Sequence, residues 1–255
     1  MKNITRRNMI GLSGMSAVAS LAGIQNISKK PGLPSKKLKV IVVGAHPGDP
    51  ECGCGGTIAL LTAAGHEVVA AYLTRGEAGV QGKTFEEAAK IRSAEALKAC
   101  KILKCRPEFL GQIDGNSEIR TTSYAPINDF IKRENPDIVF AHWPIDSHRD
   151  HRICSILTYD AWIAMEKKFA LYYYEVTSGS ETQNFYPTDY IDIGPVIEQK
   201  NACCMAHVSQ EPEGWYEKIQ KTIQRFRGIE LNCENAEAFV RHNQNPDKFI
   251  PSNTV

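Results

Sequence analysis

Histidine and carboxylate side chains recur in two short clusters, His46-Pro47-Gly48-Asp49-Pro50-Glu51 and Asp146-Ser147-His148-Arg149-Asp150-His151. In each, two groups able to bind a metal are separated by two residues. His46 and Asp49 lie in a loop opened by Pro47, so both can turn toward one point. His148 and His151 lie near a predicted helix start, where positions i and i+3 share a face. Imidazole nitrogen and carboxylate oxygen are zinc ligands, and catalytic sites combine three protein ligands with an open position for water. The clusters therefore predict a divalent-metal site, zinc or another divalent cation, with Asp146 and Asp150 placed to orient imidazoles.

Each cluster follows an apolar run, Val40-Ile41-Val42-Val43 or Ile138-Val139-Phe140. Such runs read as buried strands, and open α/β sheets build their sites beyond the carboxyl ends of strands. The body of the chain alternates strand and helix. Strands are expected at 38–44, 67–74, 137–141 and 170–176. Helices are expected at 57–64, from the Thr84/Glu87 capping box to Leu103, and at 125–134, 152–166, 195–206 and 213–229. Gly53 to Gly56 is expected to form a tight turn. These units predict one α/β domain, Rossmann-like, with a mostly parallel β-sheet and helices on both faces. In the second long helix, Ala88, Ala89, Ala96, Ala99, Cys100 and Leu103 form the packing face, with Phe85 at its start. Arg92 falls inside that stripe and needs a partner, for which Glu95 is adjacent.

Composition narrows the class. The 255 residues are 42% hydrophobic and 23% charged, ordinary values for a globular enzyme. Net charge is +1, yet no acidic residue precedes Asp49, and residues 40–255 carry 22 basic against 29 acidic residues. A mildly acidic domain lacks the footprint of a nucleic-acid binder. Thr5-Arg6-Arg7-Asn8-Met9-Ile10 and the weakly apolar stretch to Ile24 resemble a twin-arginine export signal over 1–24, followed by a linker over 25–37 and the domain over 38–255. The stretch is shorter than the roughly 20 residues a membrane span needs. The expectation is an exported, periplasmic protein with no stable span after signal removal. Oligomeric state is not encoded in these features.

The eight cysteines include no C-x-x-C pair, and Cys52 and Cys54 read as small packing residues. Gly53-Cys54-Gly55-Gly56-Thr57 is not the G-x-G-x-x-G fingerprint, which argues against a nucleotide site. Tyr172-Tyr173-Tyr174 reads as alternation across a buried strand. His66, His207 and His242 read as surface or core residues.

The motifs resemble those of the LmbE/PIG-L-like N-acetylglucosaminyl deacetylase family, zinc-dependent de-N-acetylases. Its first motif, A-H-P-D-D-E with an inserted proline and then G-C-G-G-T, is matched from Ala45 to Glu51 and Gly53 to Thr57 except at Gly48. Its second, H-x-x-x-D-x-H-x-D-H, is matched by His142, Asp146, His148, Asp150 and His151, and Leu73 to Gly79 resembles its active-site loop. The resemblance runs from about residue 38 to 176 and on to Ser209-Gln210. It implies that His46, Asp49 and His151 bind Zn2+, and that His148 stabilises the oxyanion and protonates the leaving amine. Asp150 would hold His148 charged and oriented. Arg75 would contact substrate or close a salt bridge within its loop, and Trp143 would line the sugar pocket. The implied reaction is hydrolysis of an N-acetyl group from a small-molecule amino-sugar substrate, a GlcNAc-type glycoside or glycolipid. The family has its general-base Asp where this chain has Gly48. Two readings follow: a hydrolase in which Asp146 or Glu51 substitutes, or a non-catalytic, metal-dependent carbohydrate-binding pseudoenzyme.

Overall fold

The computed structural model describes residues 36–246; the expected signal and most of the linker lie outside them. Seven strands form one sheet: β1 Lys39–Gly44, β2 Glu67–Tyr72, β3 Arg106–Phe109, β4 Ile138–His142, β5 Ala170–Tyr174, β6 Asp189–Asp192 and β7 Ala236–Arg241. Their order is β3-β2-β1-β4-β5-β7-β6. The first five run parallel, β7 is antiparallel to β5, and β6 is antiparallel to β7. The chain reverses its direction of travel across the sheet between β1 and β4, so a crevice opens beyond their carboxyl ends. Both clusters lie there.

The strands are apolar on both faces because both are covered. Val40, Val42, Phe140, Tyr172 and Tyr174 join the core beneath helices α1 (Asp49–Ala63) and α5 (Ile197–Met205). Ile41, Val43, Val139, Leu171 and Tyr173 join the opposite core, beneath α3 (Tyr124–Glu134) and α4 (Arg149–Ala164). The three tyrosines thus alternate as the period of a strand requires. Helix α2 spans Phe85–Leu103, with the expected Thr84/Glu87 capping box. Among the described residues, no helix is long and apolar enough to cross a membrane.

Three local expectations are corrected. Gly53 to Gly56 is helix, since α1 starts at Asp49 and continues through the glycines. They permit close packing: a Cβ on Gly53 would lie 2.1 Å from Tyr174 Cδ2, and one on Gly56 2.5 Å from Ile193 Cγ2. A buried ion pair braces the same helix. Lys200 Nζ donates to Glu51 O (2.8 Å), Cys52 O (2.5 Å) and Glu237 Oε1 (2.6 Å), and Glu237 accepts from the amides of Gly56 and Thr57. The continuous helix expected at 213–229 is divided into α6 (Pro212–Trp215), a π-type turn (Tyr216–Gln220) and α7 (Lys221–Leu231). Phe85, expected at the start of the α2 packing face, is half exposed. Strands β3, β6 and β7 are additions to the reading.

Candidate active site

The loop after β1 and the loop before α4 meet at one cavity of about 540 Å³, within the usual range for a small-ligand site. Its wall includes His46, Asp49, His148 and His151 together with Gly48. Asp49 Oδ2 is 3.3 Å from His46 Nδ1 and 3.5 Å from His151 Nε2. It also accepts the His46 backbone N–H at 2.7 Å, which ties the loop to the first residue of α1. Three overlapping groups each bring one ligating atom per residue within 4.8 Å: His46 with His148 and His151, Asp49 with His142 and His151, and His46 with Asp114 and Asp150. The sequence clusters therefore converge in space.

Supporting contacts fix the rings. Asp146 Oδ1 lies 3.2 Å from His151 Nδ1, while Asp146 also accepts the His148 amide and the Thr182 hydroxyl. A carboxylate behind an imidazole in this way is how metal sites orient their ligand rings. Asp150 is placed differently from the expectation. Its carboxylate accepts from Ser117 Oγ (2.5 Å) and Gly115 N (2.7 Å) and sits 3.4 Å from His46 Nε2. Its backbone N–H, rather than its carboxylate, meets His148, donating to Nδ1 at 3.3 Å. An Nδ1 that accepts leaves the proton of the neutral ring on Nε2.

The electrostatics suit a cation. Asp49, Asp114, Asp146 and Asp150 are all buried here, and Arg92 is the one Lys or Arg among the cavity-lining residues described. Burial opposes charge on His46, but Asp49, Asp114 and Asp150 outweigh it and hold the imidazole protonated well above its ordinary range. His151 is raised in the same way by Asp49 and Asp146, again against burial. Asp49, despite burial, is held well below the usual carboxylate range by His151 and His46. His142 is pushed down to about 4 by burial and by His151, so it is neutral. Protons on two imidazoles balance a surplus of carboxylates, and the oxygen and nitrogen donors match a divalent metal's preferences.

The other site expectations fare unevenly. Arg75 is exposed, donates from Nε to Ser93 Oγ at 3.2 Å and does not line the cavity. Trp143 also lies outside its wall, with Nε1 bonded to Gln183 O and the ring edge-on to Tyr173 and Phe185. Neither proposed substitute base reaches the cavity. Asp146 is committed to the contacts above, and Glu51 is buried behind the wall, accepting from Tyr72 Oη at 2.6 Å and Gly48 N at 3.1 Å. Conversely, Arg92, Asp114, Glu181 and His207 do line it. Arg92 donates to Pro47 O instead of pairing with Glu95, which takes the amide and hydroxyl of Ser209. An arginine inside an apolar stripe signalled this role; His207 carried no local signal.

Known proteins share stretches of this sequence and its fold. Residues 41–162 match the family model described as PIG-L, GlcNAc-PI de-N-acetylase. A diacetylchitobiose deacetylase of Thermococcus kodakarensis is 30% identical over 210 residues, covering 74% of this chain and 78% of that protein. The uncharacterized deacetylase YaiS of Escherichia coli is 30% identical over 124 residues, 46% of this chain and 64% of that protein. The solved N,N'-diacetylchitobiose deacetylase of Pyrococcus horikoshii shares the fold, with a TM-score of 0.72 at 24% identity, covering 82% of this chain and 87% of that one. On sequence and fold alike, the chain belongs to the PIG-L (LmbE-like) de-N-acetylase family.

Proposed function

We propose that this protein is a divalent-metal-dependent amide hydrolase that removes the N-acetyl group from a GlcNAc-type glycoside or glycolipid. The observation that carries this reading is the meeting of His46, Asp49, His148 and His151 in the wall of one cavity in a member of this family. His46, Asp49 and His151 would hold the metal, with zinc as the first candidate. Bound there, the cation would supply Lewis-acid polarisation of the amide carbonyl and acidify a water.

The chain's own groups account for the rest. His148 presents Nε2–H as a donor to the carbonyl oxygen as negative charge develops on it, because the Asp150 amide occupies Nδ1. Asp146 orients His151 from behind. Arg92, whose buried Nε has no hydrogen-bond partner, and Asp114 offer a donor and an acceptor to sugar hydroxyls. Trp215 and Ile219 add apolar wall, brought there where the π-type turn begins and runs. Export through the twin-arginine-like leader would place this activity in the cell envelope.

Metal-loaded protein incubated with N,N'-diacetylchitobiose and simpler GlcNAc glycosides should release acetate, and chelation should stop it. Sugar binding without acetate release, with the metal retained, would favour the pseudoenzyme. His46→Ala and His151→Ala that both keep full metal would refute the metal centre.

A further inference from the structure

Gly48 removes a carboxylate from the position where the family carries its base, and the structure shows what borders that place. A Cβ built on Gly48 meets nothing nearer than the His207 ring, at 3.8 Å from Cγ and Nδ1 and 3.9 Å from Cδ2. His207 is 1% exposed, and neither ring nitrogen makes a hydrogen bond. A buried imidazole without partners is costly unless something else satisfies it. Here one nitrogen has a carboxylate behind it: Glu51 Oε1 lies 3.6 Å from Nε2. Catalytic hydrogen bonds are commonly this loose before substrate binds.

The mount of this ring is firm. Glu51 is fixed by the Tyr72 hydroxyl and the Gly48 amide. The turn after His207 is tied to α2 through Ser209 N and Oγ, both 2.7 Å from the Glu95 carboxylate. Gln210 Nε2 donates to Gly79 O at 2.8 Å, and Trp215 Nε1 donates to Gln210 O. The result is an imidazole in the cavity wall with a carboxylate 3.6 Å from one nitrogen and residue 48 against its Cγ, Nδ1 and Cδ2 side, and a base backed by an orienting group is the arrangement of nucleophile activation.

We propose that His207, oriented by Glu51, is the general base of this enzyme in place of the side chain that Gly48 lacks. The inference rests on the deacetylase reading above. Nδ1 takes a proton from the attacking water as the water oxygen bonds to the acetyl carbon. The C–N bond then breaks with its electron pair on nitrogen, which receives that proton from His207, while His148 Nε2–H steadies the oxyanion. The products are the free amine and acetic acid, which ionises by passing its proton to the amine. Glu51 is a positioning residue in this scheme.

The test compares wild type with His207→Gln, His207→Ala and Glu181→Gln, each assayed for bound metal, for affinity toward N,N'-diacetylchitobiose by calorimetry and for acetate release. Removing a base lowers kcat by about 10²–10⁴. His207→Gln should show that loss with metal content and sugar affinity unchanged. Added imidazole should restore acetate release to His207→Ala in a concentration-dependent way, which a structural role would not produce. An active wild type with His207→Gln at full kcat overturns this proposal alone. So does a loss confined to Glu181→Gln, which would assign the base to the other cavity carboxylate not engaged in the metal cluster. A metal-loaded wild type that releases no acetate overturns the deacetylase reading along with it.

Discussion

Replacing Lys200 with methionine tests how far the buried ion pair holds helix α1, and with it Asp49, in place. The ammonium and the Glu237 carboxylate are 0% and 2% exposed and 2.6 Å apart. Truncating one partner of such a pair costs about 3–5 kcal/mol, because the remaining charge is left buried and uncompensated. Glu237 would keep the amides of Gly56 and Thr57 and the Thr57 hydroxyl, and Cys52 O would keep Gln220 Nε2, which favours the lower end, about 3 kcal/mol. At about 2–4 °C per kcal/mol for a domain of this size, melting should fall by about 6–12 °C. Urea titration should show a lower midpoint at an unchanged slope. In the Lys200→Met background, Glu237→Gln should cost less than in wild type, since it removes the stranded charge. Burial works to lower the Lys200 pKa, but Glu237 and its neighbours raise it well above the ordinary lysine value. A raised lysine contributes stability that is complete below about 10.5 and is lost only as pH rises through the higher folded value. The deficit of the variant should therefore be flat from pH 6 to 9. A loss under about 1 kcal/mol, or one that changes steeply across that window, would refute the argument.

Metal uptake should release protons. His46 and His151 are held protonated above the ordinary imidazole range, so a divalent cation held by these two rings would displace those protons. Affinity should rise with pH, and calorimetric enthalpies at pH 7 should differ among buffers of different ionisation heat; identical enthalpies would contradict this. Gly53→Ala should destabilise by about 1–3 kcal/mol through collision with Tyr174, despite alanine's better helix propensity. A raised melting temperature would show that the helix can shift. Thr84→Ala removes the side-chain acceptor for the Glu87 amide and should cost about 0.5–2 kcal/mol, measured by thermal unfolding, with acetate release unaffected.

The sequence reveals those parts of this protein whose causes are local. The runs Val40–Val43 and Ile138–Phe140 mark strands because burial on both faces demands continuous apolar residues. Thr84 and Glu87 mark the start of α2 because the capping contacts span three residues. Helix α1 was obscured because its four residues Gly53, Cys54, Gly55 and Gly56 look like a turn until Tyr174, Ile193 and Cys203 are brought against them. Strands β6 and β7 are short and mixed in polarity, and pairing with each other and β5 gives them their shape. Arg75 lay in a matching motif yet points to Ser93, whereas His207 lay in none and reaches the cavity. Proximity produced by tertiary packing leaves no local periodicity to read.

Gly48 has a backbone φ of +111°, a conformation that side chains beyond glycine rarely adopt. Its consequence is that a side chain here is opposed by the backbone rather than by lack of room, since a Cβ would meet nothing nearer than the His207 ring at 3.8 Å. A carboxylate placed at residue 48 would therefore pull on the turn that carries His46 and Asp49, so a new acid and a displaced loop would arrive together.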